Sequence, residues 1–247
     1  MYPVLLRIGS FELTSFGVMV ALAAMIGVWL FRRELGRAGL PENAVDAAVA
    51  GVIAGLAGAK LLWVAEHLHE EPFAQLLFSR GGLSWFGGLI GGIGAGLGVI
   101  LMRRLPVVPV LSAATPALAI GHAIGRIGCF LVGDDYGRPS NLPWAVAFPK
   151  GLPPTDVPVH PTQLYEAALL LPIAWLLFRW RRRGAADPFI LGWYLVLTSV
   201  VRFLIEVIRV NERVAVGLTV AQWASVALAI AGICLLRMSR SPRTDSP

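Results

Sequence analysis

Long apolar runs separated by short polar connections dominate this chain, with little period-2 alternation of the kind that marks half-buried strands. A helix that crosses a bilayer needs about 20 apolar residues, because hydrocarbon offers no partner for an unsatisfied backbone group. Stretches at 15–31, 44–65, 84–102, 107–133, 164–180, 188–209 and 216–236 meet that requirement. The pattern therefore predicts an all-α polytopic membrane protein of about seven transmembrane helices, organised as a single membrane-embedded domain over 1–247. Pro109 and Pro116 predict an interruption in the fourth span. Met1 to Thr14 carries no basic segment ahead of a cleavable apolar stretch, so it reads as an interfacial arm with no secretory cleavage expected. The connection at 134–163 is the long one, and it holds Pro139, Pro143, Pro149, Pro153, Pro154, Pro158 and Pro161. Such a segment cannot be a lipid-exposed span, and is expected to be an extracytoplasmic loop on the headgroups or a lid over a cavity. Trp144 and Phe148 within it suit an interface.

Charge adds orientation. Of the 21 Lys and Arg, the clusters at Arg32, Arg33 and Arg37, at Arg103 and Arg104, at Arg179, Arg181, Arg182 and Arg183, and at Arg237, Arg240 and Arg243 fall in alternate connections. Arg7, Arg80, Arg138, Lys150, Arg209 and Arg213 fall on the other side. The positive-inside rule then puts the N-terminus outside and the C-terminus in the cytoplasm, with 238–247 as a cytoplasmic tail. The net charge of +6 is an orientation signal and an attraction for anionic headgroups, and no motif points to nucleic acid. Cys129 and Cys234 lie in apolar runs on opposite sides of this topology, which excludes a disulfide framework and a CxxC site. Four scattered histidines without an HExxH pattern imply no metal centre, and no cofactor is expected; His67 and His69 look interfacial.

The most informative residues are the charges inside the spans, each costing about 2.5 to 3.5 kcal/mol at a helix centre unless it finds a partner or water. They are Lys60, Arg126, Glu166, Arg202 and Glu206. Arg202, Glu206 and Arg209, spaced four and three apart, make one stripe on one helix face that should point into the bundle. The bland reading is that Arg202 and Glu206 neutralise each other and glue helices together. Charge counting favours more: Lys60, Arg126, Arg202 and Arg209 outnumber Glu166 and Glu206, so a cavity lined by them carries a surplus positive field suited to a phosphate. A phospholipid headgroup is the anion available at that depth. Gln163 and Glu166, three apart after His160 and Pro161, both point inward, with Tyr165 between them. His122 stands two turns before Cys129, about 10 Å along the axis and too far for contact. The glycines of "GGLIGGIGAGLG", together with Gly121, Gly125 and Gly128, are expected to pack the charged helices closely around one site.

These residues sit in motifs. "GRIGCFLVGDDYG" at 125–137 resembles the signature G-R-x-G-N-F-x-N-G-E-x-x-G of the prolipoprotein diacylglyceryl transferases. "GGLSWFGGLIGG" at 81–92, "HPTQLYEA" at 160–167 and "RFLIEVIR" at 202–209 extend the resemblance in the family's order and at similar spacing. It implies a bacterial inner-membrane enzyme, its active site open to the outer side, that moves a diacylglyceryl group from phosphatidylglycerol to the lipobox cysteine of a prolipoprotein and releases glycerol phosphate. Arg126, Arg202, Glu206 and Asp134 would carry the chemistry, while Lys60, His122, Cys129, Gly137, His160, Gln163, Tyr165, Glu166 and Arg209 would bind substrate. Cys129 stands where the signature has asparagine, Asp134 replaces its glutamate and Val132 a second asparagine. Phe86 and Phe16 replace polar residues common in the family. Two alternatives follow from those departures: a family paralogue that keeps the phosphatidylglycerol pocket for a different acceptor, or a non-catalytic lipid binder or transporter. A transporter should show inverted repeats and broken helices in both halves.

Overall fold

The computed structural model describes residues 4–9, 11–79 and 82–240, so Arg80 and most of the tail, with Arg243, lie outside the described residues. A short antiparallel pair, β1 (Val4–Ile8) and β2 (Phe11–Thr14), leads into α1 (Ser15–Arg37). Then come α2 (Val45–His67), the short α3 (Phe73–Phe78), α4 (Trp85–Met102) and α5 (Val107–Val132). A second antiparallel pair, β3 (Val146–Phe148) and β4 (Thr155–Val159), interrupts the long connection before α6 (Thr162–Arg182), α7 (Asp187–Ile208) and α8 (Val220–Arg240).

Six helices among the described residues are long and apolar enough to cross a membrane: α1, α2 with the turn before it, α4, α5, α7 and α8. The predicted seventh, α6, is helical and long enough, but Gln163, Tyr165 and Glu166 occupy its first turns and Arg179, Arg181 and Arg182 its last. Large apolar side chains such as Met25, Ile53, Ile90 and Leu204 are exposed, as a chain with hydrocarbon for solvent requires. α5 is the exception among the spans, with 44% of its apolar window buried against 11 to 28% in the others. Its predicted interruption does not occur. Pro109 falls in the first turn, where no intrahelical donor is needed, and Pro116 is carried inside one continuous 26-residue helix.

The described chain groups into two compact units, 28–113 and 1–27 with 114–247. In the first, α2 packs on α4 by backbone contact. A Cβ at Gly58 would lie 2.5 Å from the Gly87 carbonyl oxygen, and one at Gly91 would lie 2.4 Å from that of Ala54. The α4 glycines expected to draw the charged helices together serve this crossing instead. In the second unit, Ala119, Ile173, Ala174, Leu177, Ile190, Val201 and Ile205 form one core from α5, α6 and α7, beside a smaller cluster of Ala123, Ala167 and Leu170. Gly192 and Gly232 meet where α7 crosses α8.

The proline-rich connection is more ordered than a loop on headgroups need be. Phe148, expected at an interface, is fully buried: it stacks on Tyr136 at 5.4 Å and takes an edge contact from Phe130 at 5.7 Å. Trp144 is exposed, and its indole N–H donates to the Tyr165 hydroxyl at 2.7 Å.

Candidate functional site

The way α5 ends builds the site. Gly133, at φ +80°, terminates the helix, and the amides of Gly133 and Asp134 both donate to the Cys129 carbonyl. Asp135 adopts φ +61°, a left-handed conformation that a short polar side chain tolerates. These two reversals return the Asp135 carboxylate over the helix it has just left. Arg126 Nη1 donates to Asp135 Oδ2 at 2.9 Å, and Arg209 donates to Oδ1. Thr162 and Gln163, both fully buried at the start of α6, hold the turn from the other side by donating to the backbone carbonyls of Asp135 and Asp134.

Glu166, one helical turn after Gln163 and 1% exposed, is the hub of the charges below that turn. Its Oε2 lies 2.8 Å from Arg126 Nε and 3.6 Å from Arg202 Nη1, and its Oε1 lies 3.3 Å from His122 Nε2. The Arg126 N–H groups are not aimed at it: Nε stands close to Glu166 without a hydrogen-bond alignment, and Nη2 is buried with no partner. Glu206 sits 3.0 Å from Arg202 Nη2 and 3.9 Å from Arg209 Nε, and Asn211 donates to it at 2.5 Å. Arg202 and Glu206 share one inward face of α7, whereas Arg209, expected on the same helical stripe, is the extended residue just past the end of the helix and reaches the cluster from there.

Three guanidinium groups thus meet three carboxylates, those of Asp135, Glu166 and Glu206, so the surplus positive field expected from the charge count is not present in this cluster. Two causes explain the difference. Asp135 enters the cluster as a bridging anion, and Lys60 belongs to the other compact unit, where its ammonium donates to the Ser79 carbonyl and hydroxyl at 2.9 Å. Electrostatics then separate the two aspartates. Burial, and next the charge of Asp135, push the Asp134 carboxyl above its ordinary range. Burial acts the same way on Asp135, but Arg209 and Arg126 overcome it and hold that carboxyl below its ordinary range.

Cys129 is half-buried with its sulfur 3.6 Å from Arg126 Nη1, and His122 is engaged with Glu166 rather than with the thiol. His160 faces Tyr165, its Nδ1 3.4 Å from the hydroxyl. Phe16 packs beside Gly128 on α5, while Phe86 lies on α4 against Trp85 in the other unit. The donor atoms of Cys129, Asp134 and Asp135 lie within 4.8 Å of one another, a spacing a metal ion could use. Arg126 and Arg209 already bond to Asp135, however, and two fixed cations would oppose a third.

Asp135 and Asn211 are the residues that sequence reasoning missed. Asp135 fell at a variable position of the signature, and Asn211 lies beyond the helical stripe; the doubled acid in "VGDDYG" was the available signal. Gly137 sits where the chain is tightly packed. A Cβ there would stand 2.8 Å from Thr162 Cγ2 and 2.9 Å from the Ile208 carbonyl oxygen, where the Gly137 amide donates to the His160 carbonyl. Gly137→Ala is expected to destabilise the protein by about 1 to 3 kcal/mol through overpacking, seen as a lower thermal midpoint; an unchanged midpoint would contradict this packing.

Comparison with known proteins bears on the same residues. Residues 3–238 match the family described as Prolipoprotein diacylglyceryl transferase. The chain is similar to proteins named phosphatidylglycerol–prolipoprotein diacylglyceryl transferase from several bacteria. That of Methylobacillus flagellatus is 31% identical over 257 aligned residues, covering 96% of each chain. That of Chromohalobacter salexigens is 32% identical over 98% of this chain and 94% of its own. That of Geobacter sulfurreducens is 31% identical over 84% of this chain and 82% of its own. With the match running almost end to end and the arginine and carboxylate motifs inside it, the chain belongs to the prolipoprotein diacylglyceryl transferase family.

Proposed function

We propose that this protein transfers the diacylglyceryl group of phosphatidylglycerol to the cysteine thiol of a prolipoprotein. The sulfur attacks the diacylglyceryl carbon next to the phosphate, a C–S bond forms, the C–O bond breaks, and its electron pair leaves on the oxygen of glycerol phosphate. The observation that carries the reading is Arg126: a buried guanidinium held by Glu166 and Asp135, with Nη2 unpartnered, is a donor that a phosphate oxygen would satisfy. Arg202 supplies the second fork on the same phosphate, oriented by Glu206, which Asn211 holds in turn. A substrate thiol with a pKa of about 8.5 is only a few per cent ionised at neutral pH, and a cluster with no excess of cations gives it little help. Asp134 is the group suited to accept its proton. Its Oδ1 is buried without a partner and its affinity for a proton is raised.

In this reading α6 is the seventh span, its polar start sheltered by the bundle; the N-terminus is outside, the C-terminus is in the cytoplasm, and the segment 134–163 covers a site open to the outer face of the inner membrane. The alternate placement of the arginine clusters supports that orientation. Cys129 fills the place of the family's asparagine and does no chemistry, since the nearest histidine on its helix is committed to Glu166. Cys129→Ala should keep activity within about threefold of the parent, as expected for a small half-buried side chain that only fills space. A covalent diacylglyceryl adduct on Cys129 would contradict that and make the reaction a two-step transfer.

The experiment is to give the purified protein phosphatidylglycerol and a lipobox peptide and to search by mass spectrometry for the peptide thioether. Its formation is the expected result. Consumption of lipid without a modified peptide would favour a family paralogue with another acceptor.

A further inference from the structure

Between the ends of α7 and α8 lies a cavity of about 230 Å³. Glu206 and Arg209 form one wall, so it opens directly behind the charge cluster, and Arg138 and Arg213 line it from the segments on either side. Those segments are well fixed. The Arg138 amide donates to the Ile208 carbonyl and its own carbonyl accepts from His160, while Val214 and Leu218 close the turn after Arg213. At the start of α8, Thr219 and Gln222 cap each other. Unlike the arginines of the cluster, the Arg138 and Arg213 guanidinium groups make no ion pair among the described residues.

We infer that this cavity is the site for the leaving glycerol phosphate, a phosphate monoester of a small polyol. The inference rests on the transferase reading above. Breaking the C–O bond turns a phosphodiester with one negative charge into a monoester carrying about 1.5 to 2 at neutral pH. Asp135, Glu166 and Glu206 already balance the cluster's three arginines, which leaves no surplus positive charge there for the added negative charge. The nearest surplus is in the cavity, where Arg138 and Arg213, neither of them in an ion pair among the described residues, stand beside the already paired Arg209 and Glu206. Its volume, below the roughly 300 Å³ at which sites for drug-sized ligands begin, admits a phosphate on a three-carbon polyol and excludes a diacyl lipid. Asn211, Thr219 and Gln222 offer the polyol hydroxyls their partners. The rise in phosphate charge thus draws the product out of the cluster to the arginines behind it.

The test uses the full chain in nanodiscs of zwitterionic lipid, with soluble sn-glycerol 1-phosphate as probe and phosphatidylglycerol in the nanodisc as the second arm. Arg138→Gln with Arg213→Gln should weaken glycerol phosphate binding about tenfold, the loss of two charge-assisted contacts, and shift binding of intact phosphatidylglycerol less than about twofold. An unchanged Kd for glycerol phosphate would overturn the assignment, as would a loss confined to phosphatidylglycerol, which would give these arginines to the intact lipid. Binding is read without turnover, so the two readings separate. A protein that forms no thioether, yet binds glycerol phosphate through Arg138 and Arg213, would defeat the transferase reading and leave the cavity's ligand standing.

Discussion

Glu166→Ala is expected to cut transfer activity at least about 100-fold and to lower stability by about 3 to 5 kcal/mol, the cost of leaving buried charge without its partner. Glu166 is 1% exposed and lies within ion-pair distance of Arg126 and Arg202, with His122 on its other oxygen. Truncation leaves two guanidinium groups turned toward a void and frees the Arg126 side chain to follow Asp135 alone. Glu166→Gln keeps the shape and removes the charge, so it separates the two effects. It should fold better than the alanine variant and still turn over slowly, because an amide cannot fix both arginines. Turnover and thermal unfolding of the two variants check this, and full stability with full activity in Glu166→Ala would show that the hub is not one.

Arg126→Lys should lose about 100-fold in kcat or more, in line with the removal of one preorganised donor from a site of developing charge. The three nitrogens of this guanidinium differ in their surroundings: Nε stands close beside Glu166, Nη1 donates to Asp135, and Nη2 has no partner. An ammonium is a single point and cannot span the three. Because lysine keeps the charge, KM for phosphatidylglycerol should rise less than kcat falls. Near-normal turnover would rule out the bidentate role.

The spans were legible because hydrocarbon imposes one simple rule on composition, and the rule was written into every apolar run. It fails at α6 for the reason that makes α6 useful: Gln163 and Glu166 face inward to hold the turn and the arginines, and those same residues lower its apolar character. Charge inside apolar runs located Arg126, Glu166, Arg202 and Glu206, and the resemblance then placed each of them in a quoted motif. Neither route could give Asp135 its part, because the bridge to Arg209 depends on two left-handed residues, Gly133 and Asp135, on either side of Asp134 and on a partner 74 positions away. The same limit applies to Phe148, whose burial comes from the rings of Phe130 and Tyr136 that the fold gathers around it. Summing the charges of spans without knowing which helices meet placed Lys60 in the count and left Asp135 out, and so predicted a basic cluster where the structure has a balanced one.

The bond that breaks is the most direct measure of the central claim. Phosphatidylglycerol carrying 18O at the oxygen between the diacylglyceryl carbon and phosphorus would be given to the protein with a lipobox peptide, and both products analysed by mass spectrometry. Attack of sulfur at carbon predicts one labelled glycerol phosphate for each peptide thioether formed. Label released in free diacylglycerol, or glycerol phosphate without a thioether, would contradict it.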